Sequence, residues 1–409
     1  PPTPVRLGGP DIPRGVMALL QDADGALWAP VAGLGLGYLR PDWRQLAQYS
    51  GAIDGLQGAM YRALAASREG GFWLGGLNGS VERLAADGGI TRLDEDSLER
   101  LRSIKPLAIV EDAGGRLWLG HRNGLLRIGS DGVIDEWRAD HAQDATPAGP
   151  VDQLQVAADG RLWLSAPGGG VQQRDAASGR VLRDIPADAA HGLDSGDIEA
   201  LVLSPRGEVW VAGGDGVARL DAVHGRFRRL PELGDERVFA LAFDGAEVLW
   251  LQRQSGLAQY RRDGARWRAG EQIDIAHGMP AVGASGMQVD RRHRVWVSTS
   301  RGLYRYDPRD RNLRRHGVRD GVSSQEFLDR ALAMSAQGVL AAATADGGIV
   351  LVDTTVADPA MPVPSLRFDQ LSVRRNGEWH DLPMHAGLRL GRDDREFRIR
   401  ARLLAFDDP

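Results

Sequence analysis

The chain has no cysteine in 409 residues. That excludes disulfides, thiolate metal sites and a cysteine nucleophile, and it is compatible with either the cytoplasm or an oxidising compartment. Lysine is almost missing too: Lys105 is the only one, so nearly all basic side chains are arginines. With a formal net charge of −5, the chain has no basic excess for a nucleic-acid backbone. The arginine bias reads as codon usage in a GC-rich genome, not as phosphate recognition. No apolar run approaches the length of a membrane span, and no signal peptide is recognisable. The abrupt start at Pro1 and end at Pro409 read as a fragment cut from something larger.

What the chain does have is a recurring tryptophan. Trp28, Trp73, Trp118, Trp163, Trp210, Trp250 and Trp296 follow one another at steps of 45, 45, 45, 47, 40 and 46 residues. A degenerate copy follows another 45 residues on, with Ala341 in place of Trp. Six residues past most of these stands a glycine, such as Gly124, Gly216 or Gly302. Before each Trp runs an apolar segment and a polar turn, as in Leu107–Val110 followed by Asp112-Ala-Gly-Gly115. After it come a turn, a second short strand such as Leu125–Ile128, and in many copies a fourth segment such as Val133–Trp137. Apolar spacing near two excludes a helical solenoid. Four short antiparallel strands per period of about 45 residues are the blade of a β-propeller.

The predicted fold is therefore all-β, a single propeller of four-stranded blades followed by a partial β-sandwich. The repeat count gives eight blades; seven is the alternative, if the degenerate last copy or the irregular first one sits outside the ring. Residues 1–355 are assigned to the propeller, with blades centred on the seven Trp residues and Ala341. Pro4–Leu7 is expected to close the ring beside Ile349–Val352. Residues 356–364 form a Pro-rich linker, which favours an extended path. Residues 365–409 alternate like sandwich strands but are too few for a complete one.

The unit from Asp112 to Arg127 resembles the repeat of two-component regulator propellers. So do the opening Gly9-Pro-Asp-Ile-Pro13 with Val16 and the loop Asp320–Phe327 before the last copy. The segment from Pro364 resembles the start of the triple-tyrosine (Y_Y_Y) β-sandwich that follows such propellers, although the naming tyrosines do not occur in it. The resemblance implies a periplasmic sensor region of an inner-membrane signalling protein. It implies a C-terminal segment leading to the membrane and an output domain such as a histidine kinase or diguanylate cyclase. Homodimerisation through the sandwich is an option it leaves open.

The tryptophans could be sugar-stacking platforms, but identical placement in every copy is what packing between blades demands. Asp22-Ala-Asp24 looks like a calcium loop yet lacks the later ligands, so it reads as a hairpin turn. None of the nine histidines forms a ligand pair, no Ser-His-Asp set is legible, and no metal, cofactor or catalytic residue is expected. What remains is the loop face of the disc, where residues break the repeat: Tyr61, Arg62, His121, Arg122, Asp152, Glu199, Arg253, Gln254 and Arg301. An arginine-rich mouth with a tyrosine suits a small anionic or sugar-like ligand. The partner expected is thus a small molecule or oligosaccharide, bound without turnover. A propeller enzyme, such as a polysaccharide or macrolactone lyase, and a protein-interaction propeller are the rivals.

Overall fold

The computed structural model of the chain describes residue 16, residues 18–358 and residues 365–404, apart from 23–24, 34, 40, 42, 44, 94–98, 100 and 384–389. Two compact units emerge, one of residues 44–357 and one combining residues 14–43 with 358–409.

The first unit is the propeller. Blades 1 to 6 are four-stranded antiparallel sheets whose strands run in chain order from the inside outwards. Their inner strands are Tyr61–Ala66, Pro106–Glu111, Gln153–Val156, Ile198–Leu203, Val238–Asp244 and Ala284–Val289. Blade 7 has the inner strand Phe327–Met334, then Val339–Thr344 and Ile349–Asp353, and takes its fourth strand, Leu46–Tyr49, from the opposite end of the unit. Each inner strand touches the next, and that of blade 7 touches that of blade 1, so the ring is closed with seven blades.

The copy around Trp28 was counted as a blade in the sequence. It instead forms a three-stranded sheet, Leu20–Gln21, Leu27–Val31 and Gly35–Leu39, within the second unit. Its first strand is only two residues long and exposed. The segment that would have been its fourth, Leu46–Tyr49, is spent on blade 7, with Leu46 opposite Val352 and Tyr49 opposite Ile349. The edge expected for Pro4–Leu7, which lies outside the described residues, is therefore already occupied. Gln45 extends the closure: its side-chain amide donates to the carbonyls of Val356 and Ala357 at 3.2 and 3.1 Å.

Each blade Trp sits on the second strand and is packed against the following blade. Trp118, Trp210, Trp250 and Trp296 are at most 1% exposed. Trp210, for example, shares a cluster with Leu241, Leu249 and Leu251 of blade 5. In blade 7 the alanines 331, 333, 341 and 343 make room for Tyr61, Phe72 and Leu74 of blade 1, which supplies the bulk that the missing Trp would have given.

The aspartate six residues before Trp118 explains the motif. Asp112 Oδ1 accepts the backbone N–H groups of Gly114 and Arg116, at 2.8 and 3.1 Å. Its Oδ2 accepts the Trp118 indole N–H at 2.9 Å and Arg116 Nε at 2.7 Å. Burial alone would raise the carboxyl pKa, but these bonds hold it below the ordinary value. Asp290 does the same for Trp296, and Asp22 for Trp28. The carboxylate thus ties the turn and the tryptophan together.

The second unit also holds the sheet Glu378–Leu382, Ser365–Arg375, Phe397–Leu404, with the longest strand in the middle. Among the described residues, no helix is long and apolar enough to cross a membrane.

Candidate functional site

The inner strands carry one irregularity that the repeat does not announce. In blades 1, 4, 5 and 6 the pairing of the inner strand slips by one residue near its start, leaving Arg62, Glu199, Phe239 and Ser285 unpaired in the ladder. Leu107 is left over in the same way in blade 2. Such a bulge bends the strand and re-aims the extra side chain. In blade 7 the slip is larger: Phe327 pairs with Thr344, and the next paired residue is Leu332, opposite Ala342. Arg330 lies inside that wide bulge with a left-handed φ of 61°, which a non-glycine residue adopts only when its surroundings impose it.

What imposes it is the other side of the ring. Arg330 Nη1 lies 3.1 Å from Asp152 Oδ2, and Nη2 lies 3.3 Å from Glu199 Oε2. Asp152 belongs to blade 3 and Glu199 to blade 4, the two blades farthest from blade 7, so the guanidinium crosses the central channel. Glu199 Oε1 also accepts Arg237 Nη1 at 2.5 Å, and Arg237 is paired with Asp197. Arg62 approaches Asp329 at 3.8 Å.

Beside this network is a channel cavity of about 140 Å³, lined by Leu64, Ala108, Ile109, Leu154, Leu332, Asp152 and Arg330. Asp152 is 8% exposed, and its Oδ1 is buried without a hydrogen-bond partner. Burial pushes its pKa up to about 6, against the pull of Arg330. Asp152 thus carries an unfilled acceptor position beside its ion pair with Arg330.

Three of the sequence candidates, Arg62, Asp152 and Glu199, meet in this channel. Tyr61, His121 and Arg253 were expected on an exposed loop face; all three are buried. Tyr61 bonds Glu82, which gathers the N–H groups of Gln57 and Gly58 and so fastens that loop to blade 1. Burial first, then the Glu82 bond, pushes the phenol pKa up. Burial likewise pushes the His121 imidazole down, and its Nε2 has no hydrogen-bond partner. The Arg253 guanidinium bonds the Leu233 carbonyl and donates to Tyr260 Oη at 3.1 Å. The loop leading into blade 5 is thereby held down by a buried charge. Arg122, Gln254 and Arg301 are exposed in separate turns between second and third strands.

The sequence reading missed Arg330, Asp329, Arg237 and Asp197. A signal existed for the first two. Asp329-Arg330 interrupts the apolar strand Phe327-Leu-Asp-Arg-Ala-Leu-Ala-Met, whereas the inner strand of blade 5, Val238-Phe-Ala-Leu-Ala-Phe-Asp, stays apolar up to its last residue.

No family model matches the sequence, and no curated protein matches it in sequence. Solved structures do match in shape. The extracellular domain of a hybrid two-component system, BT3049 from B. thetaiotaomicron, superposes with a TM-score of 0.72 at 14% identity, over 95% of this chain and 53% of that one. The extracellular domain of BT4673 from the same organism gives 0.59 at 15% identity, over 86% and 49%. A streptogramin B lyase gives 0.55 at 13% identity, over 76% and 98%. The chain thus spans about half the length of these two extracellular domains. It has the propeller fold found in extracellular domains of two-component systems, the same group its repeat resembles.

Proposed function

We propose that this chain is the extracytoplasmic ligand-sensing region of a bacterial transmembrane signalling receptor of the histidine-kinase or diguanylate-cyclase type. The ligand, a small molecule or short saccharide, engages the channel where Arg62, Asp152, Glu199 and Arg330 meet. The observation that carries this reading is the Arg330 crossing. A propeller is held together by contacts between neighbouring blades, so an ion pair between its farthest blades is not needed for the fold. It does suit a switch, because a ligand that competes for Asp152 or Arg330 changes what opposite blades hold on to. A signal requires only that the ligand bind two arrangements with different affinity.

The second unit supports the rest of the reading. In its sheet Leu366, Phe368, Phe397 and Ile399 are exposed and share one face by register, while Arg367, Arg398 and Arg400 share the other. A sheet with one apolar face is built to be covered by another, as in a sandwich that passes the signal on toward a membrane segment.

Likeness to a lyase over 76% of the chain keeps an enzyme reading in the test, since a buried carboxyl with a raised pKa is also what a general acid needs. Thermal-shift screening against monosaccharides, disaccharides, amino acids and dicarboxylates, followed by calorimetry, is the direct measurement. A hit should weaken at least about tenfold in Glu199→Gln or Arg62→Gln and not in Arg301→Gln. Recovery of the hit unchanged after incubation supports sensing. Conversion of it would establish the enzyme, and a hit indifferent to both channel variants would move the site elsewhere.

A further inference from the structure

Arg330 sits in the channel as a ligand would. Its side chain leaves a left-handed residue in the wide bulge of blade 7, crosses the channel and ends on carboxylates of blades 3 and 4. Such a backbone persists only while its contacts hold it. The side chains of Arg330 and Glu199 are 27% and 25% exposed, so solutes reach this pair. Around the tip of Arg330 stand Asp152 and Glu199, with Asp197 joined to Glu199 through Arg237. Once Arg330 withdraws, Arg237 is the one guanidinium in contact with these three carboxylates among the described residues. Asp152 Oδ1 lacks a hydrogen-bond partner even with Arg330 in place.

Near the root of the same side chain the groups are different. Asp329 is the preceding residue, and its carboxylate faces Arg62 of blade 1 at 3.8 Å, too far for a hydrogen bond. Both side chains are open to solvent, at 67% and 34% exposed, and a guanidinium so loosely paired keeps its forked donors for another acceptor. The charge of Arg62 also reaches Asp152, where it opposes the effect of burial, so root and tip belong to one site. The cavity of about 140 Å³ lies beside the Arg330 side chain, against the inner strands of blades 1, 2, 3 and 7.

With the channel as the ligand site of the sensing reading, we infer that the ligand is a guanidino amino acid of the size of free arginine, and that Arg330 is its built-in competitor. The ligand guanidinium takes the place of the Arg330 head on Asp152 and Glu199, where a planar fork of donors matches carboxylates and a point charge does not. The ligand carboxylate accepts from Arg62, and its ammonium donates to Asp329. Its aliphatic stem lies in the cavity and in the space the Arg330 side chain vacates. Displacement of Arg330 frees the bulge and detaches blade 7 from blades 3 and 4. Because Arg330 holds the same bay, the apparent affinity is reduced by the fraction of protein in which the bay is filled from within.

Calorimetry with L-arginine, agmatine, which lacks the carboxylate, and L-citrulline, which has a urea in place of the guanidinium, tests the inference at constant ionic strength. Saturable binding of L-arginine, at least about tenfold weaker binding of agmatine and none of L-citrulline are the expected results. Arg330→Ala and the longer Arg330→Gln remove the competitor and should bind L-arginine at least about tenfold more tightly than wild type. In both variants L-arginine should restore melting temperature that the substitution took away, and L-citrulline should not. Adding Glu199→Gln should abolish that rescue. Arg62→Gln should weaken L-arginine about tenfold without weakening agmatine. Absence of saturable L-arginine binding in wild type and both Arg330 variants, agmatine or L-citrulline binding as tightly as L-arginine, or Arg330 variants that bind no more tightly than wild type, would each overturn the inference. If L-arginine fails while another compound binds and is weakened by Glu199→Gln, the guanidino ligand is lost and the sensing channel stands. If no compound is sensitive to the channel variants, both are lost.

Discussion

Arg330 of blade 7 and Asp152 of blade 3 are 3.1 Å apart across the channel, although 178 residues separate them in the chain. Both are in a partly buried network, so the pair is not a surface ion pair of negligible worth, and truncation leaves Asp152 and Glu199 without their shared cation. Arg330→Met should therefore destabilise the propeller by about 1–3 kcal/mol. Part of that loss should be recovered in Arg330→Met/Asp152→Asn, because the stranded charge is then removed as well. Urea denaturation of the two single variants and the double variant measures the coupling; strictly additive effects would mean that the two side chains do not interact.

Asp152 also makes a pH prediction. Its folded pKa, near 6, is above the ordinary carboxylate value, with burial as the main cause and Arg330 opposing it. A raised carboxyl pKa means that the folded state takes up the proton more readily than the unfolded state. The stability contributed by this group is complete below about pH 4 and is lost as pH rises toward and through 6. The full effect is of order 3 kcal/mol. Other carboxylates, Asp112 among them, titrate the opposite way and lose their contribution as pH falls. The useful quantity is thus the difference between wild type and Asp152→Asn. That difference should shift in favour of the variant between pH 4 and 7. A difference that stays flat across the window would show that Asp152 is not held in its neutral form by burial.

The fold was largely legible because blade packing forces the same residue into the same place each time. Trp118, Trp210 and Trp296 announce the period, and the period sets the architecture. The ring's closure was less legible, since Leu46–Tyr49 is an ordinary short strand that follows in the chain a segment whose sequence imitates a blade. The repeat around Trp28 keeps the Asp22–Trp28 bond, so its local sequence carries the blade signal while its tertiary partners are different. The channel was legible only in part. A bulge adds one residue to one strand, and in the sequence this looks like a small variation in spacing. Arg62 and Glu199 stood out by type; Arg330 stood out only as a charge within an apolar strand, and its place in the channel depends on a bulge and a left-handed backbone. Tyr61, His121 and Arg253 misled for the opposite reason. A polar residue beside a turn reads as exposed, yet all three are buried, with Arg253 bonded to the loop of Leu233 and Tyr61 to that of Gly58.

The Asp112–Trp118 bond predicts a measurable division between sheets. Trp118→Ala should cost about 3–5 kcal/mol, because the cavity lies between two blades that cannot collapse onto it. Asp112→Ala should cost about 2–4 kcal/mol, since it frees the indole N–H, two backbone N–H groups and Arg116 at once. Trp28→Ala removes the same bond in a sheet that is not a blade. It should leave the main unfolding transition of residues 44–357 in place, as followed by proteolysis and calorimetry. Collapse of that transition in Trp28→Ala would return the first copy to the ring.

Ring closure can be tested directly because the chain supplies no competing thiol. Ala47 stands opposite Leu351 in the pairing of the last blade. Ala47→Cys/Leu351→Cys should form a disulfide under mild oxidation and fix the two ends of the propeller to each other. Closing so long a loop restricts the unfolded chain strongly, and the oxidised form should gain about 2–4 kcal/mol over the reduced form. The complementary variant replaces Leu46–Tyr49 by a Gly-Ser stretch. It leaves Ile349–Asp353 as a bare edge, which should promote association through that strand and lower the melting temperature. An oxidised double-cysteine protein that melts where its reduced form does, together with a Gly-Ser variant that stays monomeric, would mean that the ring closes through another segment. The first strand of the unit would then have to be sought nearer the N-terminus.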